Sequence, residues 1–240
     1  MKINSLTKEQ KETRKRILEM SFKRGLSHIG SCLSCVDLIH AIYKVKEKDE
    51  KFVLSNGHAG FAYYAILEKF GYLKKNKAEK LHVHPDRNLK NGIDVSTGSL
   101  GQGLPIAVGI ALANRSQNAY CTISDGECTE GSIWEALRIA SENRLDNLKI
   151  VLNANGWGAY SEVGLNVLRK RLEAFGCKVI SVNGHDLSAL QKALKSKSKG
   201  KPLLLFAKTL VDQLPFLKGQ DAHYYIMKDE DFKLAQKLYS

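Results

Sequence analysis

The sequence predicts an α/β fold, a doubly wound and mostly parallel sheet flanked by helices. Short apolar segments alternate with helical segments throughout the second half of the chain. A strand, a helix and a strand follow one another over 119–152, and the right-handed crossover of such a unit makes its strands parallel. The length of 240 residues, 43% of them hydrophobic, suits one domain over 1–240 with a well-buried core.

Capping signals and hydrophobic periodicity predict the individual elements. Thr7 can cap a helix over 8–23, and Ser34 can cap a second helix. The other elements predicted in the first half are a strand over 52–54, a helix over 59–70, a polar loop over 74–91 and an apolar helix over 106–114. The second half is predicted to hold strands over 119–123, 148–152, 178–182 and 203–207, with helices over 132–143, 165–175, 187–195 and 229–238.

Composition excludes several classes of function. The net charge of +12 permits nucleic acid as a partner, but the lysines are scattered and lack interleaved aromatic residues that would stack bases. We therefore expect no nucleic-acid partner and a solvated basic surface. No segment resembles a signal peptide or a membrane span, which predicts a cytoplasmic protein without membrane contact. The five cysteines are an odd number, which favours free thiols in a reducing compartment.

The pair Cys32 and Cys35 invites a zinc or redox interpretation. No further pair of ligands occurs at a matching spacing, and the segment before Cys32 does not have the pattern of a strand. We therefore predict two buried residues near the start of a helix.

Polar residues follow two neighbouring strands of the predicted sheet. Asp125 comes directly after one apolar segment, and Asn155 follows the next strand along the chain. Because parallel strands end at one edge of the sheet, both side chains are expected on that edge, where α/β folds bind ligands. A carboxylate, an amide oxygen and a loop carbonyl suit a hard cation, while Gly126 and Gly131 let backbone amides approach an anion. An isolated Asp-Gly pair is usually an ordinary turn, so this interpretation depends on the flanking motifs.

Several further motifs occur in a fixed order along the chain. They are Ser27-His28-Ile29-Gly30, Leu54-Ser55-Asn56-Gly57-His58, His84-Pro85, Thr97-Gly98-Ser99-Leu100-Gly101-Gln102-Gly103, Asn183-Gly184-His185-Asp186, and Lys208-Thr209 followed by His223. Together with Asp125-Gly126 and Asn155 they resemble the diphosphate-binding N-terminal part of transketolase over nearly the whole chain. The sequence departs from the family pattern at Ser124, where glycine is usual, and at Ala154, where a polar residue is common.

The resemblance implies a thiamine diphosphate site with Mg²⁺, or with Ca²⁺ or Mn²⁺ in its place. Asp125 and Asn155 would bind the metal through side-chain oxygens and Trp157 through its carbonyl. The implied cofactor-binding residues are Gly98, Ser99, Leu100, Gly126, Glu127, Glu130, Asn155 and His58. The implied catalytic residues are His28, His58, His84 and His223, since imidazoles can move protons to and from sugar oxygens. His40, His82 and His185 are instead expected to be structural or superficial.

The resemblance also implies a reaction and a partner. A full transketolase continues into pyrimidine-binding and C-terminal domains, which are absent from this chain. We therefore expect the N-terminal subunit of a split transketolase, active with a separate C-terminal subunit, most simply as a homodimer of that heterodimer. Its reaction would transfer a two-carbon ketol unit from a ketose phosphate to an aldose phosphate. A relative acting on another donor or specialised sugar, and a non-catalytic cofactor-binding subunit, are the alternatives.

Overall fold

Five parallel strands form one sheet in the part of the chain that the structure describes. A computed structural model describes residues 6–240, the side chain of Asn76 excepted, so the first five residues of the predicted domain lie outside it. The described strands are β1 (Lys51–Leu54), β2 (Ala119–Ser124), β3 (Leu148–Ala154), β4 (Lys178–Asn183) and β5 (Leu203–Lys208). They lie in the order β1-β2-β3-β5-β4, and each neighbouring pair is parallel. The predicted parallel sheet is confirmed.

Helices connect the strands and cover both faces of the sheet. Those of the first half are α1 (Lys8–Lys23), α2 (Ile29–Val45), α3 (Gly60–Lys69), α4 (Lys75–Ala78) and α5 (Gly103–Ala113). Those of the second half are α6 (Gly131–Glu142), α7 (Leu165–Ala174), α8 (Leu187–Leu194) and α9 (Asp229–Leu238). Short 3₁₀ turns lie at Gly57–Ala59, Leu89–Asn91, Gly126–Thr129 and Gly219–His223.

Two apolar layers sandwich the sheet. One layer packs α1, α2, α3, α8 and α9 against one face, and the other packs α5, α6 and α7 against the opposite face. Successive strand residues alternate between the layers, so that Val151 and Leu205 join the first while Ile150 and Leu204 join the second. Strands buried on both faces explain why the sequence shows continuous apolar segments instead of an alternating pattern.

The start of α2 differs from the prediction. Ser34 is not the cap: the helix begins at Ile29, and His28 occupies the cap position in a left-handed backbone conformation with φ of 67°. Ser34 is fully buried inside the helix, where its hydroxyl donates to the carbonyl of Ser31 at 3.0 Å and accepts from the Asn153 amide at 2.9 Å. The start of this helix was predicted wrongly because α2 is buried from Ile29 to Tyr43 and carries no capping side chain at its true start.

The other boundaries agree with the prediction within a few residues. Thr7 caps α1, and a reciprocal pair of hydrogen bonds with Gln10 forms a capping box. The helix α5 begins at Gly103, earlier than predicted. A Cβ at this position would lie 2.5 Å from the Ser55 Cα, so only glycine lets the helix start pack this closely on the loop after β1. The predicted polar loop over 74–91 is confirmed, apart from α4 and one 3₁₀ turn.

Two expectations about the chain as a whole can be compared with the structure. All five cysteines are free and buried, and Cys32 and Cys35 lie in the first two turns of α2, as expected. Within residues 6–240, no helix combines the length and the apolar character needed to cross a membrane.

Candidate active site

A cleft of about 270 Å³ lies at the carboxyl ends of β1, β2 and β3. Its walls are formed by loops that follow these strands, by the start of α2 and by the segment of His84, and the 3₁₀ turn Gly219–His223 closes one side. Nine of the predicted site residues line it, namely His28, His58, His84, Gly98, Leu100, Gly126, Asn155, Trp157 and His223. Residues that are up to 195 positions apart in the sequence are thus brought together at the edge where parallel α/β sheets bind ligands.

Asp125 lies beneath the cleft, directly after β2. Its carboxylate is fully buried and accepts hydrogen bonds from the amides of Gly126, at 3.0 Å, and Gly156, at 2.6 Å. Burial raises the pKa of Asp125 to about 7, against the lowering effect of these amide bonds. No cationic side chain among residues 6–240 forms an ion pair with it. A buried carboxylate without a cationic neighbour fits a bound metal ion.

The neighbouring oxygen atoms suit the same ion. Asn155 follows β3, and its side-chain oxygen accepts from the Trp157 amide at 2.9 Å, which fixes the direction of the side chain. Both residues line the cleft above Asp125. In the described part of the chain, no group of three His, Cys, Asp or Glu side chains could hold a metal. A carboxylate, an amide and a backbone carbonyl therefore remain as the candidate ligands, and all are oxygen donors of the kind that Mg²⁺ and Ca²⁺ prefer.

Glycines allow close backbone contacts on the opposite wall. A Cβ at Gly126 would lie 3.1 Å from the Gly158 Cα, so a larger residue would push the two loops apart. A Cβ at Gly57 would lie 2.8 Å from the Gly98 nitrogen, because the loop after β1 packs directly on the segment 97–103, called here the Gly-rich turn. Gly98 in turn packs against the ring of His84. These contacts leave Gly126, Gly98 and Leu100 facing the cleft, where backbone groups can approach a diphosphate.

The four predicted histidines form a cluster. The ring centre of His28 lies 4.5 Å from that of His223, 5.7 Å from that of His58 and 6.5 Å from that of His84. Burial and the neighbouring rings lower the pKa of His28 to about 4 and that of His58 to about 3, and burial lowers the pKa of His223. These three rings are therefore neutral near pH 7, and each offers one hydrogen-bond donor and one acceptor.

One atom of this cluster finds no partner within the protein. The Nδ1 atom of His28 is buried and has no hydrogen-bond partner among the described residues. The Nδ1 atom of His223 lies 3.3 Å from the hydroxyl of Ser31, and both residues line the cleft. Buried polar groups are normally paired, and the orphaned His28 nitrogen therefore fits a ligand that supplies a polar atom there.

Three predicted cofactor-binding residues do not line the cleft. Ser99 is exposed on the Gly-rich turn, and Glu130 is exposed at the start of α6. Glu127 is fully buried and turned into the protein, where it bonds to Ser55, Gly101 and Ser124. Their predicted part in cofactor binding stays a prediction.

Four residues that line the cleft were not predicted from the sequence. Ser31, Ser124, Gly158 and Ala159 also line the cleft. The hydroxyl of Ser31 lies next to a histidine 192 positions away in the sequence, so no local signal could have revealed the contact. Trp157 packs against Gly219, where a Cβ would come within 2.9 Å of the indole ring, and this contact places the His223 segment beside the cleft.

The fold and the cleft define an α/β domain that binds its ligand at the carboxyl ends of parallel strands. Residues 16–240 match the family described as transketolase, thiamine diphosphate binding domain. The chain belongs to this family, whose transketolase members are transferases.

Relatives and solved structures agree with this assignment. The chain is 34% identical over 236 residues to a protein of Phocaeicola vulgatus named as one subunit of apulose-4-phosphate transketolase, covering 87% of this chain and 84% of that protein. It is 30% identical to the protein of the same name in Actinobacillus succinogenes, with 97% and 95% coverage. Human transketolase is 33% identical, but the chain spans only 37% of its length. The crystal structure of Campylobacter jejuni transketolase has a TM-score of 0.84 and 28% identity, covering 97% of this chain and 42% of that one.

Proposed function

We propose that this chain is the N-terminal subunit of a thiamine diphosphate- and Mg²⁺-dependent transketolase. It would transfer a two-carbon ketol unit from a ketose phosphate to an aldose phosphate. The observation that carries the proposal is the cleft itself, which Asn155, Trp157 and the four clustered histidines line together above the buried Asp125. Membership of the transketolase family agrees with this arrangement.

The proposed roles fall to two groups of residues, one that binds the cofactor and its metal and one that contacts the substrate. Asp125, Asn155 and the Trp157 carbonyl would hold Mg²⁺, and Gly126 and the Gly-rich turn would receive the diphosphate. When bound, thiamine diphosphate supplies the carbanion chemistry that breaks and forms the carbon–carbon bond. The neutral rings of His28, His58 and His223 would donate hydrogen bonds to substrate oxygens and move protons to and from sugar hydroxyls.

A second polypeptide completes the proposal. Two relatives that this chain matches over most of their length are each named as one subunit of a transketolase, which supports a separate C-terminal subunit here too. The partner would bind the pyrimidine end of the cofactor, and two such heterodimers would form the assembly. The cleft is open at the surface of the described chain, as this division of the site requires.

The donor sugar has two candidates. Human transketolase, at 33% identity, is named without a particular sugar and supports a ketose phosphate donor other than apulose 4-phosphate. The two relatives named for apulose 4-phosphate, at 34% and 30% identity, support a specialised donor. Profiling the assembled complex against both donors distinguishes them, because transfer from only one of the two sugar phosphates identifies the substrate class.

The proposed reaction is tested by adding thiamine diphosphate, Mg²⁺ and a C-terminal subunit from the same source. We expect transfer of a glycolaldehyde unit from at least one of the two donors to an aldose phosphate acceptor. Intact cofactor binding without transfer from either donor would favour the non-catalytic alternative and contradict the proposed reaction.

The proposed metal site is tested by Asp125→Ala. We expect this variant to lose Mg²⁺-dependent binding of thiamine diphosphate, because the charged ligand of the metal is removed. Isothermal titration calorimetry with and without Mg²⁺ measures the effect, and Asp186→Ala, at the exposed start of α8, serves as the control. Unchanged affinity in Asp125→Ala would place the metal elsewhere.

A further inference from the structure

Glu127 is a buried carboxylate whose hydrogen bonds connect two distant loops to the end of β2. One oxygen accepts from the Ser55 hydroxyl at 2.6 Å and from the Gly101 amide at 2.9 Å. The other oxygen accepts from the Ser124 amide at 3.0 Å. The Glu127 side chain is fully buried, and no described lysine, arginine or histidine forms an ion pair with it. All of its partners are neutral hydrogen-bond donors.

Each of the three segments that Glu127 contacts carries part of the cleft. Ser55 begins the loop after β1 that leads to His58. Gly101 belongs to the Gly-rich turn, in which Gly98 and Leu100 face the cleft. Ser124 ends β2 directly before Asp125. The carboxylate therefore connects the segments that carry His58, Gly98 and Asp125.

Stability alone is a poor reason for this arrangement. Burying a carboxylate without a cationic partner is costly, and its hydrogen bonds offset only part of that cost. An apolar side chain of similar size would fill the same space without the cost of burying a charge. It could not, however, accept hydrogen bonds from Ser55, Gly101 and Ser124. The geometry of these bonds is specific to the loops that bear the cleft.

We propose that Glu127 is a positioning residue that holds the Gly-rich turn and the β1 loop at the spacing required for thiamine diphosphate and its metal. The proposal rests on the function proposed above, because that function names the ligand. The role is indirect, since the side chain faces away from the cleft and acts through Ser55, Gly101 and Ser124.

The test compares Glu127→Gln with a matched variant of Glu50, which lies at the amino end of β1, away from the cleft. The introduced amide has one acceptor oxygen, so it cannot accept from all three donors. Glu50 is a comparable buried acid, which accepts from the amides of Glu47 at 2.8 Å and Asn118 at 3.0 Å just before β1 begins. Glu50→Gln therefore controls for the general effect of neutralising a buried acid. Ser55→Ala, which removes one donor only, is the milder variant should Glu127→Gln fail to fold.

Two measurements are made on the full chain, namely hydrogen–deuterium exchange and the affinity for thiamine diphosphate with Mg²⁺. We expect faster exchange over 97–103 in Glu127→Gln and in Ser55→Ala, and none of this increase in Glu50→Gln. We expect the affinity to fall roughly tenfold or more in Glu127→Gln, the size of one lost hydrogen bond to a charged group, with little change in Glu50→Gln.

The outcomes separate this inference from the proposed function. Unchanged exchange over 97–103 overturns the positioning role, and so does an equal loss of affinity in Glu127→Gln and Glu50→Gln. A wild-type chain that binds no thiamine diphosphate, alone or with its partner, overturns the proposed function instead. The exchange measurement then still decides whether Glu127 holds the turn.

Discussion

The rings of His28 and His58 at the cleft are kept neutral near pH 7 by their surroundings. Burial and neighbouring rings hold the pKa of His28 near 4 and that of His58 near 3, well below the ordinary value of 6.5. At a pH between 6.5 and these lowered pKa values, the histidines of the unfolded chain bind protons that those of the folded chain do not. The free energy of unfolding therefore falls as the pH decreases through this window. Neutral rings also cannot attract an anionic ligand by charge, so they can contribute only hydrogen bonds and proton transfer.

We predict a specific pH dependence from this. The wild-type chain is expected to lose stability as the pH falls from 6.5 towards 4, and His58→Asn is expected to lose less over the same window. Urea unfolding at a series of pH values measures the difference. Asp125, whose pKa is raised to about 7, acts in the opposite direction in both proteins and cancels in the comparison. His82→Asn, at an exposed position, should follow the wild type. Parallel curves for His58→Asn and the wild type would contradict the prediction.

Individual residues differ in how far the sequence predicts their role. Asp125 and Asn155 could be placed from the sequence because each directly follows a strand, and parallel topology fixes where strands end. Glu127 could not, because its partners Ser55 and Gly101 lie 72 and 26 positions away. The spacing of residues along the chain carries no information about which distant loops a buried side chain will join.

At the scale of elements, a buried polar network holds the first two helices to the sheet. Arg14 of α1 forms two hydrogen bonds to Asp37 of α2, at 3.0 and 2.6 Å. His185, after β4, contacts the same carboxylate at 2.8 Å and accepts from the Leu210 amide at 3.1 Å. Although burial opposes it, the Arg14 guanidinium lowers the pKa of Asp37 to about 2. This network gives His185 a structural role, in agreement with its exclusion from the predicted catalytic set.

Breaking this network should destabilise the whole domain. Asp37→Asn leaves the Arg14 guanidinium buried without its counter-ion, and we expect a loss of about 3–5 kcal/mol in the free energy of unfolding. The control is Glu142→Gln, which removes an exposed ion pair with Arg138 and should cost less than about 0.5 kcal/mol. Urea unfolding curves measure both. Similar midpoints for the two variants would show that the buried network contributes little.

The two predicted helix caps illustrate what local sequence can determine. Thr7 was predicted correctly because its partner Gln10 is three residues away, and the capping box is a local interaction. The predicted cap at Ser34 was wrong because the Ser34 hydroxyl lies inside α2. There it donates to the Ser31 carbonyl and accepts from the Asn153 amide of β3, which is a tertiary contact. Local propensity therefore gives way wherever a helix is buried on all sides.

At the scale of the whole molecule, burial protects all the cysteines. The five thiols are free and buried, and burial raises the pKa of Cys32, Cys35 and Cys177 to about 12. Burial also raises the pKa of Cys121 and Cys128 well above the ordinary range. Thiolates, the reactive form, are therefore scarce in the folded chain.

We predict that the native chain resists thiol reagents until it unfolds. Labelling with a disulfide reagent should be roughly a hundredfold or more slower for the native chain than for the chain in urea, because reaction requires opening of the core. Ser116→Cys adds an exposed thiol and supplies the rapid control. Absorbance of the released thiolate measures the rates. One native cysteine that reacts as fast as the control would contradict the prediction.

The strand order also has a consequence for how the chain reaches its native state. No two neighbouring strands are joined by a hairpin: Lys51 of β1 pairs with Ala119, and Lys149 of β3 pairs with Leu203. Every native strand contact therefore requires closure of a long stretch of chain, which makes folding slow compared with domains built from local contacts. Apolar segments stay exposed while these closures occur, so we expect aggregation during refolding, more than native stability, to limit the yield of active chain.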